Sequence, residues 1–112
     1  MKSENNINVF IFKVLSNEVR LTIIEALIKA PMNVNEICEE IQEEQSRVSH
    51  ELHCLAVCGF VYSEREGKKI VYGLNKDTIK PIIEAANKHA KIFGDKMRGC
   101  EILSDIRKMV VK

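Results

Sequence analysis

No stretch of this sequence approaches the roughly 18–20 consecutive apolar residues that a helix needs to cross a bilayer, which excludes a membrane-spanning helix. Met1-Lys2-Ser3-Glu4-Asn5-Asn6 has neither the apolar core nor the small-residue cleavage site of a secretory leader, so the expected location is the cytoplasm. Charge of one sign is also not in surplus. The 17 Lys and Arg against 16 Asp and Glu leave a net charge of +1, too little to announce a nucleic-acid partner by bulk electrostatics. There is no phosphate-cradling glycine loop, no paired acid–base carboxylates and no metal site with an obvious open position. His53 beside Cys54 is not a dyad, because neighbours on a helix point in different directions. An enzyme is therefore not expected. Repeats, low-complexity segments and interdomain linkers are missing as well.

What is present is a globular composition: 112 residues, 46% hydrophobic and 29% charged, enough for one domain with a modest core. The four cysteines, in a reducing compartment, point to metal ligands, redox sensors or buried fillers rather than structural disulfides. Ile7, Phe10, Ile11, Val14 and Leu15 recur at helical spacing and predict a first helix over about residues 4–15. Ser16 or Asn17 can cap a second, with Val19, Ile23, Ile24, Leu27 and Ile28 on one face and Pro31 as its stop. Asn33-Val34-Asn35-Glu36 resembles a capping box for a third, which turns Val34, Ile37, Cys38 and Ile41 inward. A fourth runs from about Gln45 to Cys58, with Gly59 as its expected C-cap. Phe60-Val61-Tyr62 and Ile70 to Leu74 then bracket a charged turn, Ser63 to Lys69, and read as a hairpin. Asn75 or Asp77 opens a long helix to about residue 97, and Ile102, Leu103, Ile106 and Met109 suggest a short one in the tail.

This order is that of a winged helix-turn-helix: mainly α with a β-hairpin wing, an α+β fold. Residues 1–97 form the DNA-binding and dimerisation domain and residues 98–112 a C-terminal tail. Long terminal helices with surplus apolar faces in so short a chain imply a homodimer, which suits paired half-sites on double-stranded operator DNA. At about 100° per residue, Val48, Leu52 and Leu55 of the fourth helix fall on a core face. Ser46, Ser49, His50 and His53 fall opposite, toward a major groove, while Arg47, Cys54 and Cys58 occupy a flank between, with Glu51 nearer the core. Cysteines at i and i+4 point the same way, as a shared soft cation requires. Between residues 45 and 75, four basic residues meet three acidic ones, a poor DNA footprint, so the case rests on placement. Gln45, Ser46, Arg47, Ser49, His50 and His53 are the expected groove residues, and Arg65, Lys68 and Lys69 on the wing are the expected phosphate contacts.

These residues carry a family resemblance. Leu15-Ser16-Asn17-Glu18-Val19-Arg20-Leu21, Ser46-Arg47-Val48-Ser49-His50-Glu51-Leu52 with Leu55 and Gly59-Phe60-Val61, and Arg65 to Leu74 together resemble the ArsR/SmtB metalloregulators over roughly residues 10–95. Glu51 departs from the pattern, standing where the family usually has His. Leu52-His53-Cys54-Leu55-Ala56-Val57-Cys58-Gly59 is similar to the recognition-helix thiol pair of the cadmium- and lead-sensing branch. That resemblance implies Cys54 and Cys58 from one subunit and Cys100 from the other as metal ligands. It implies a repressor released from DNA by Cd(II) or Pb(II), ahead of As(III) or Zn(II). The family's arsenite pair would fall at Val34 and Glu36, neither a thiol. Its zinc site finds one imbalanced set in Asp77, Glu84, His89 and Asp95, with a single imidazole.

Other readings stay open. Cys54 and Cys58 serve equally as small fillers beside the core, and Cys38 fits that role better than any other. The same thiols suit a redox or reactive-sulfur switch, or an As(III) sensor. His50, four residues before Cys54, offers an extra ligand, but it and His53 read first as DNA-facing or solvated; His89 reads as packing at the dimer face or facing water, and Glu39, Glu40, Glu43 and Glu44 as a solvated acidic surface.

Overall fold

Three asparagines set the first helices of the computed structural model, which describes residues 6–100 and Ile102. Asn6 caps α1 (Ile7–Leu15), its side-chain oxygen accepting from the Asn8 N–H at 3.0 Å. Asn17 rather than Ser16 caps α2 (Glu18–Lys29), accepting from the Arg20 N–H at 3.0 Å. Asn33 and Glu36 form a reciprocal capping box, both bonds 2.9 Å, at the head of α3 (Val34–Ile41). Each cap satisfies backbone donors that a helix start leaves unpaired.

α4 (Gln45–Val57) follows a short loop. Its C-cap is Cys58, and Gly59 lies beyond it at φ +78°, the left-handed conformation that only glycine adopts without strain. The chain then enters β2 (Val61–Glu66) and returns as β3 (Lys69–Leu74), in antiparallel register from Val61 opposite Leu74 to Glu66 opposite Lys69. A two-residue strand, β1 (Met32–Asn33), pairs with β3 on its other side, giving the order β1-β3-β2. α5 (Ile79–Arg98) completes the described elements, with Pro81 in its first turn where no N–H is missed. The chain falls into two compact units, residues 1–80 and 81–112.

In the first unit the core is built from Ile23, Ile24 and Leu27 of α2, Ile37 of α3, Val48, Leu52 and Leu55 of α4, and Phe60, Val61 and Leu74 of the hairpin, all buried. The α4 trio is the i, i+4, i+7 stripe that the sequence pattern assigns to the core, and removing one such leucine side chain costs roughly 2–5 kcal/mol. In α5, Ile79 and Ile83 are buried while Ile92, Phe93 and Met97 are exposed.

Four expectations are corrected. The strands run through most of the charged segment, leaving Gly67 and Lys68 as the turn, because a strand exposed on both faces shows no apolar alternation. α5 begins at Ile79 rather than at Asn75 or Asp77; Asn75 instead uses its carbonyl to accept from the Ile79 N–H at 3.0 Å. In α3 only Ile37 is fully buried, and Val34, Cys38 and Ile41 are half-buried. β1 is an element the sequence pattern does not announce. In the tail, Ile102 is helical, and Leu103, Ile106 and Met109 lie outside the described residues.

Candidate nucleic-acid interface and thiol pair

α4 presents two different surfaces on opposite sides of its buried stripe. Gln45, Ser46, Ser49, His50 and His53 are exposed, as is Arg47. On the wing, Arg65, Lys68 and Lys69 are exposed as well, Arg65 opposite Ile70 and Lys69 opposite Glu66. Small polar side chains on a helix and basic ones on a neighbouring hairpin are what base-edge and phosphate contacts require. Ser46 is partly engaged: its hydroxyl donates to Glu44 Oε1 at 3.1 Å, and Glu44 occupies the N-cap of α4 without making a side-chain cap bond.

The flank between groove face and core is a charge-bearing stripe. Arg47, Glu51, Cys54 and Cys58 fall within roughly 60° of arc on α4. Glu51 is the one buried acidic or basic side chain among the described residues. Its Oε1 lies 2.9 Å from Arg20 Nη1 of α2, and its Oε2 lies 3.5 Å from Arg47 Nε. Arg20 Nε also donates to the Val14 carbonyl at 2.8 Å, so this guanidinium ties the end of α1 to α4. The side-chain exposures, 7% for Glu51, 19% for Arg20 and 49% for Arg47, describe a charge chain running from the interior to the surface.

Further along the stripe lie Cys54 (half-buried) and Cys58 (exposed), one helical turn apart, Cys58 at the C-cap of α4. Desolvation raises the Cys58 thiol above its ordinary pKa, and so do the charge and hydrogen bond of Cys54, while Arg20 acts in the opposite direction. Cys54 and Arg20 thus act on the Cys58 sulfur in opposite directions. Two accessible soft donors on one helical flank fit a thiophilic cation. Among the described residues no three His, Cys, Asp or Glu side chains form a group able to hold a metal, so this pair supplies two donors by itself. Cys100 is exposed in the second unit, its N–H donating to the Met97 carbonyl at 3.1 Å, and Cys38 is half-buried on α3. His89, on α5, packs against Phe93 with ring centroids 4.9 Å apart.

Sequence reasoning singled out every residue of this stripe except Arg20, which it placed in a motif without a role. The Arg47–Glu51 spacing of four was a usable signal. The Arg20–Glu51 contact bridges 31 positions of sequence and had none.

Helices α2 to α4 with the hairpin define a winged helix-turn-helix protein, the architecture of DNA-binding transcription regulators and not of an enzyme. A profile described as bacterial regulatory protein, arsR family, matches residues 17–63. The HTH-type transcriptional regulator NmtR of Mycobacterium tuberculosis is 35% identical over 77 residues, covering 69% of this chain and 64% of NmtR. The solution structure of apo-NmtR aligns at a TM-score of 0.68 and 32% identity, covering 81% of this chain and 77% of that one. The transcriptional activator HlyU of Vibrio cholerae is 30% identical over 76 residues, covering 68% of this chain and 70% of HlyU. Its structure aligns at a TM-score of 0.69 over 79% of this chain and 96% of that one, at 27% identity. A cadmium resistance regulatory protein, the CadC homolog of Staphylococcus aureus, is 28% identical over 82 residues, 72% of this chain and 68% of the homolog. The chain belongs to the arsR family of bacterial regulatory proteins. It spans slightly less than two thirds of NmtR's length.

Proposed function

We propose that this chain is a homodimeric transcription repressor that binds operator DNA when metal-free and is released by a thiophilic cation, Cd(II) or Pb(II), held by Cys54, Cys58 and Cys100. The observation that carries the reading is the placement of Cys54 and Cys58 one turn apart on the flank of the helix that exposes Ser46, Ser49, His50 and His53. Membership of a family with a cadmium resistance regulator among its relatives supports a metal effector. The thiol pair, not shared family ancestry, argues for a soft one. Cys100 is assigned by the resemblance of the three-cysteine pattern.

In the metal-free dimer, α4 of each protomer enters a major groove, and Arg65, Lys68 and Lys69 fix the wing on phosphates. The uncovered apolar side chains of α1 (Ile7, Phe10, Phe12) and of α5 (Ile92, Phe93, Met97) suit burial against a second copy. A bound cation supplies a bond between thiolates that fixes the end of α4. Cys54 and Cys58 would give up their protons to bind it, and the charge near Arg20, which is already paired with Glu51, would change with them. The helix that reads DNA thereby changes its footing on α2. A hundredfold loss of DNA affinity needs roughly 2.7 kcal/mol of such coupling.

The test uses a duplex selected by the metal-free protein from a random-sequence pool. Anaerobic titration with Cd(II), Pb(II), Zn(II) and As(III) is followed by sulfur-to-metal absorbance and by duplex affinity in one sample. Stoichiometric Cd(II) or Pb(II) is expected to dissociate the complex, and Cys54→Ser to abolish the response; indifference of the wild-type complex to all four rejects the sensor.

The same pair of free thiols favours a second reading, a redox or reactive-sulfur switch. A Cys54–Cys58 disulfide is awkward, since four helical residues separate the Cα atoms by roughly 6 Å, near the upper end of the usual range. A bond from either to Cys100 is easier. Loss of DNA binding under mild oxidant, with metal rigorously excluded and restored by a thiol reductant, selects this reading.

A further inference from the structure

Arg47 of α4 is a half-exposed arginine with a buried carboxylate one helical turn away. Its Nε lies 3.5 Å from Glu51 Oε2, and the other carboxylate oxygen is held by Arg20 at 2.9 Å. Glu51 itself is buried between α2 and α4, and Arg20 is fixed in turn by the Val14 carbonyl at 2.8 Å. A carboxylate so anchored has one position. An arginine paired through Nε to a fixed carboxylate keeps one terminal nitrogen on the edge facing away from it, with its donors available to a further acceptor. Holding a flexible side chain in place before binding reduces the ordering entropy lost on contact.

We propose that Glu51 is a positioning residue for DNA recognition: clamped by Arg20, it fixes Arg47 in the orientation in which that guanidinium meets the operator. The inference rests on the reading of α4 as the recognition helix and is independent of what the thiols bind. It also gives a physical meaning to the residue that departs from the family pattern. Neutral imidazole at position 51 would offer Arg20 and Arg47 no negative charge to share.

The proposal makes a prediction opposite in sign to bulk electrostatics. Removing a negative charge near DNA should strengthen binding by a positively charged surface. Removing one that positions an arginine should weaken it. Full-length wild type, Arg47→Ala, Glu51→Gln and the double variant are compared without metal on the duplex selected by the wild type. Glu51→Gln is expected to weaken binding roughly tenfold, the scale of one well-placed contact, with the salt dependence of Arg47→Ala. The double variant is expected to be no weaker than the weaker single one, because both changes remove the same contact.

Glu51→Gln binding as tightly as wild type or tighter overturns the proposal, and so do losses that multiply in the double variant. Should Glu51→Gln fail to fold, Glu51→Asp keeps the charge near Arg20 but draws the carboxylate back from Arg47. It is expected to weaken binding in the wild-type background and to have no effect in Arg47→Ala; an equal loss in both overturns the proposal. A wild-type chain that selects no duplex at all defeats the DNA reading before any variant is compared, and this proposal with it.

Discussion

Arg20 makes three connections at once: to the Val14 carbonyl, to Glu51, and electrostatically to Cys58. Replacing it by Met keeps the aliphatic stem but leaves the buried Glu51 carboxylate with the more distant, solvent-exposed Arg47 as its ion-pair partner. Breaking one side of a buried pair typically costs 3–5 kcal/mol. With Arg20 itself partly exposed and Arg47 still present, the expected loss is roughly 2–3 kcal/mol, read as a lower urea midpoint at unchanged slope. Cys58 sets a pH dependence. Its pKa is raised by desolvation first and by Cys54 second, so at neutral pH the thiol is protonated and a bound cation must displace that proton. Affinity for Cd(II) is therefore expected to fall as pH falls, by about tenfold per pH unit for each proton released. Isothermal titration in two buffers of different ionisation enthalpy counts those protons; a pH-independent affinity contradicts the assignment of the thiols as ligands. Gly73 is the remaining residue with a sharp constraint, because a Cβ there would come within 2.4 Å of the Tyr62 ring across the hairpin. Tyr62 is exposed and can swing aside, so Gly73→Ala is expected to cost about 1 kcal/mol by overpacking and to cost nothing once Tyr62 is Ala, which a double-mutant cycle of thermal midpoints tests.

Among the elements, α4 shows most clearly what a sequence pattern can and cannot carry. Val48, Leu52 and Leu55 are buried as their spacing requires, and Gly59 ends the helix in the left-handed conformation its position suggests. The flank of Arg47, Cys54 and Cys58, and Glu51 nearer the core, were legible for the same reason: helical geometry alone fixes which side chains share a face. The wing was legible in existence but not in extent. Ser63-Glu64-Arg65-Glu66 is polar throughout, and its strand character comes from pairing with β3 rather than from its own side chains. β1 has two residues and no pattern to display. The α2–α4 ion pair was illegible because nothing local joins residues 20 and 51. The start of α4 holds a further prediction. Glu44 is its N-cap but makes no cap bond, and its carboxylate, bonded to the Ser46 hydroxyl, adds negative charge beside the groove face. Glu44→Ser is expected to supply the missing cap, stabilising the fold by about 1 kcal/mol, and to tighten duplex binding most at low salt. Unchanged affinity at every salt concentration would place Glu44 away from the DNA.

At the scale of the whole molecule, the proposed three-thiol site raises the question whether Cys100 joins the helix pair and, if so, from which protomer. The second unit carries Cys100 beyond a helix whose Ile92, Phe93 and Met97 are uncovered, which suits a tail that follows the dimer contact into the partner. An isologous pair of protomers then holds two equivalent sites, each built from both chains. Two variants that are each unable to assemble three sulfurs separate the alternatives. Cys54→Ser/Cys58→Ser keeps only the tail thiol of the presumed set, and Cys100→Ser keeps only the helix pair. Neither homodimer is expected to show the three-thiolate absorbance. Mixed after reversible unfolding, half of the dimers contain one of each, and in those a site shared between protomers is restored once. With random pairing the mixture is expected to recover about a quarter of the wild-type signal, whereas a site contained within one chain recovers nothing. Phe93→Glu in both partners supplies the control. A carboxylate on the uncovered face of α5 should block association, abolish the recovered signal and lower duplex affinity, while the first unit keeps its fold by circular dichroism. Recovery that survives this substitution in a protein shown to be monomeric by sedimentation would mean that the signal does not come from three sulfurs gathered across a dimer contact, since neither variant chain holds all three.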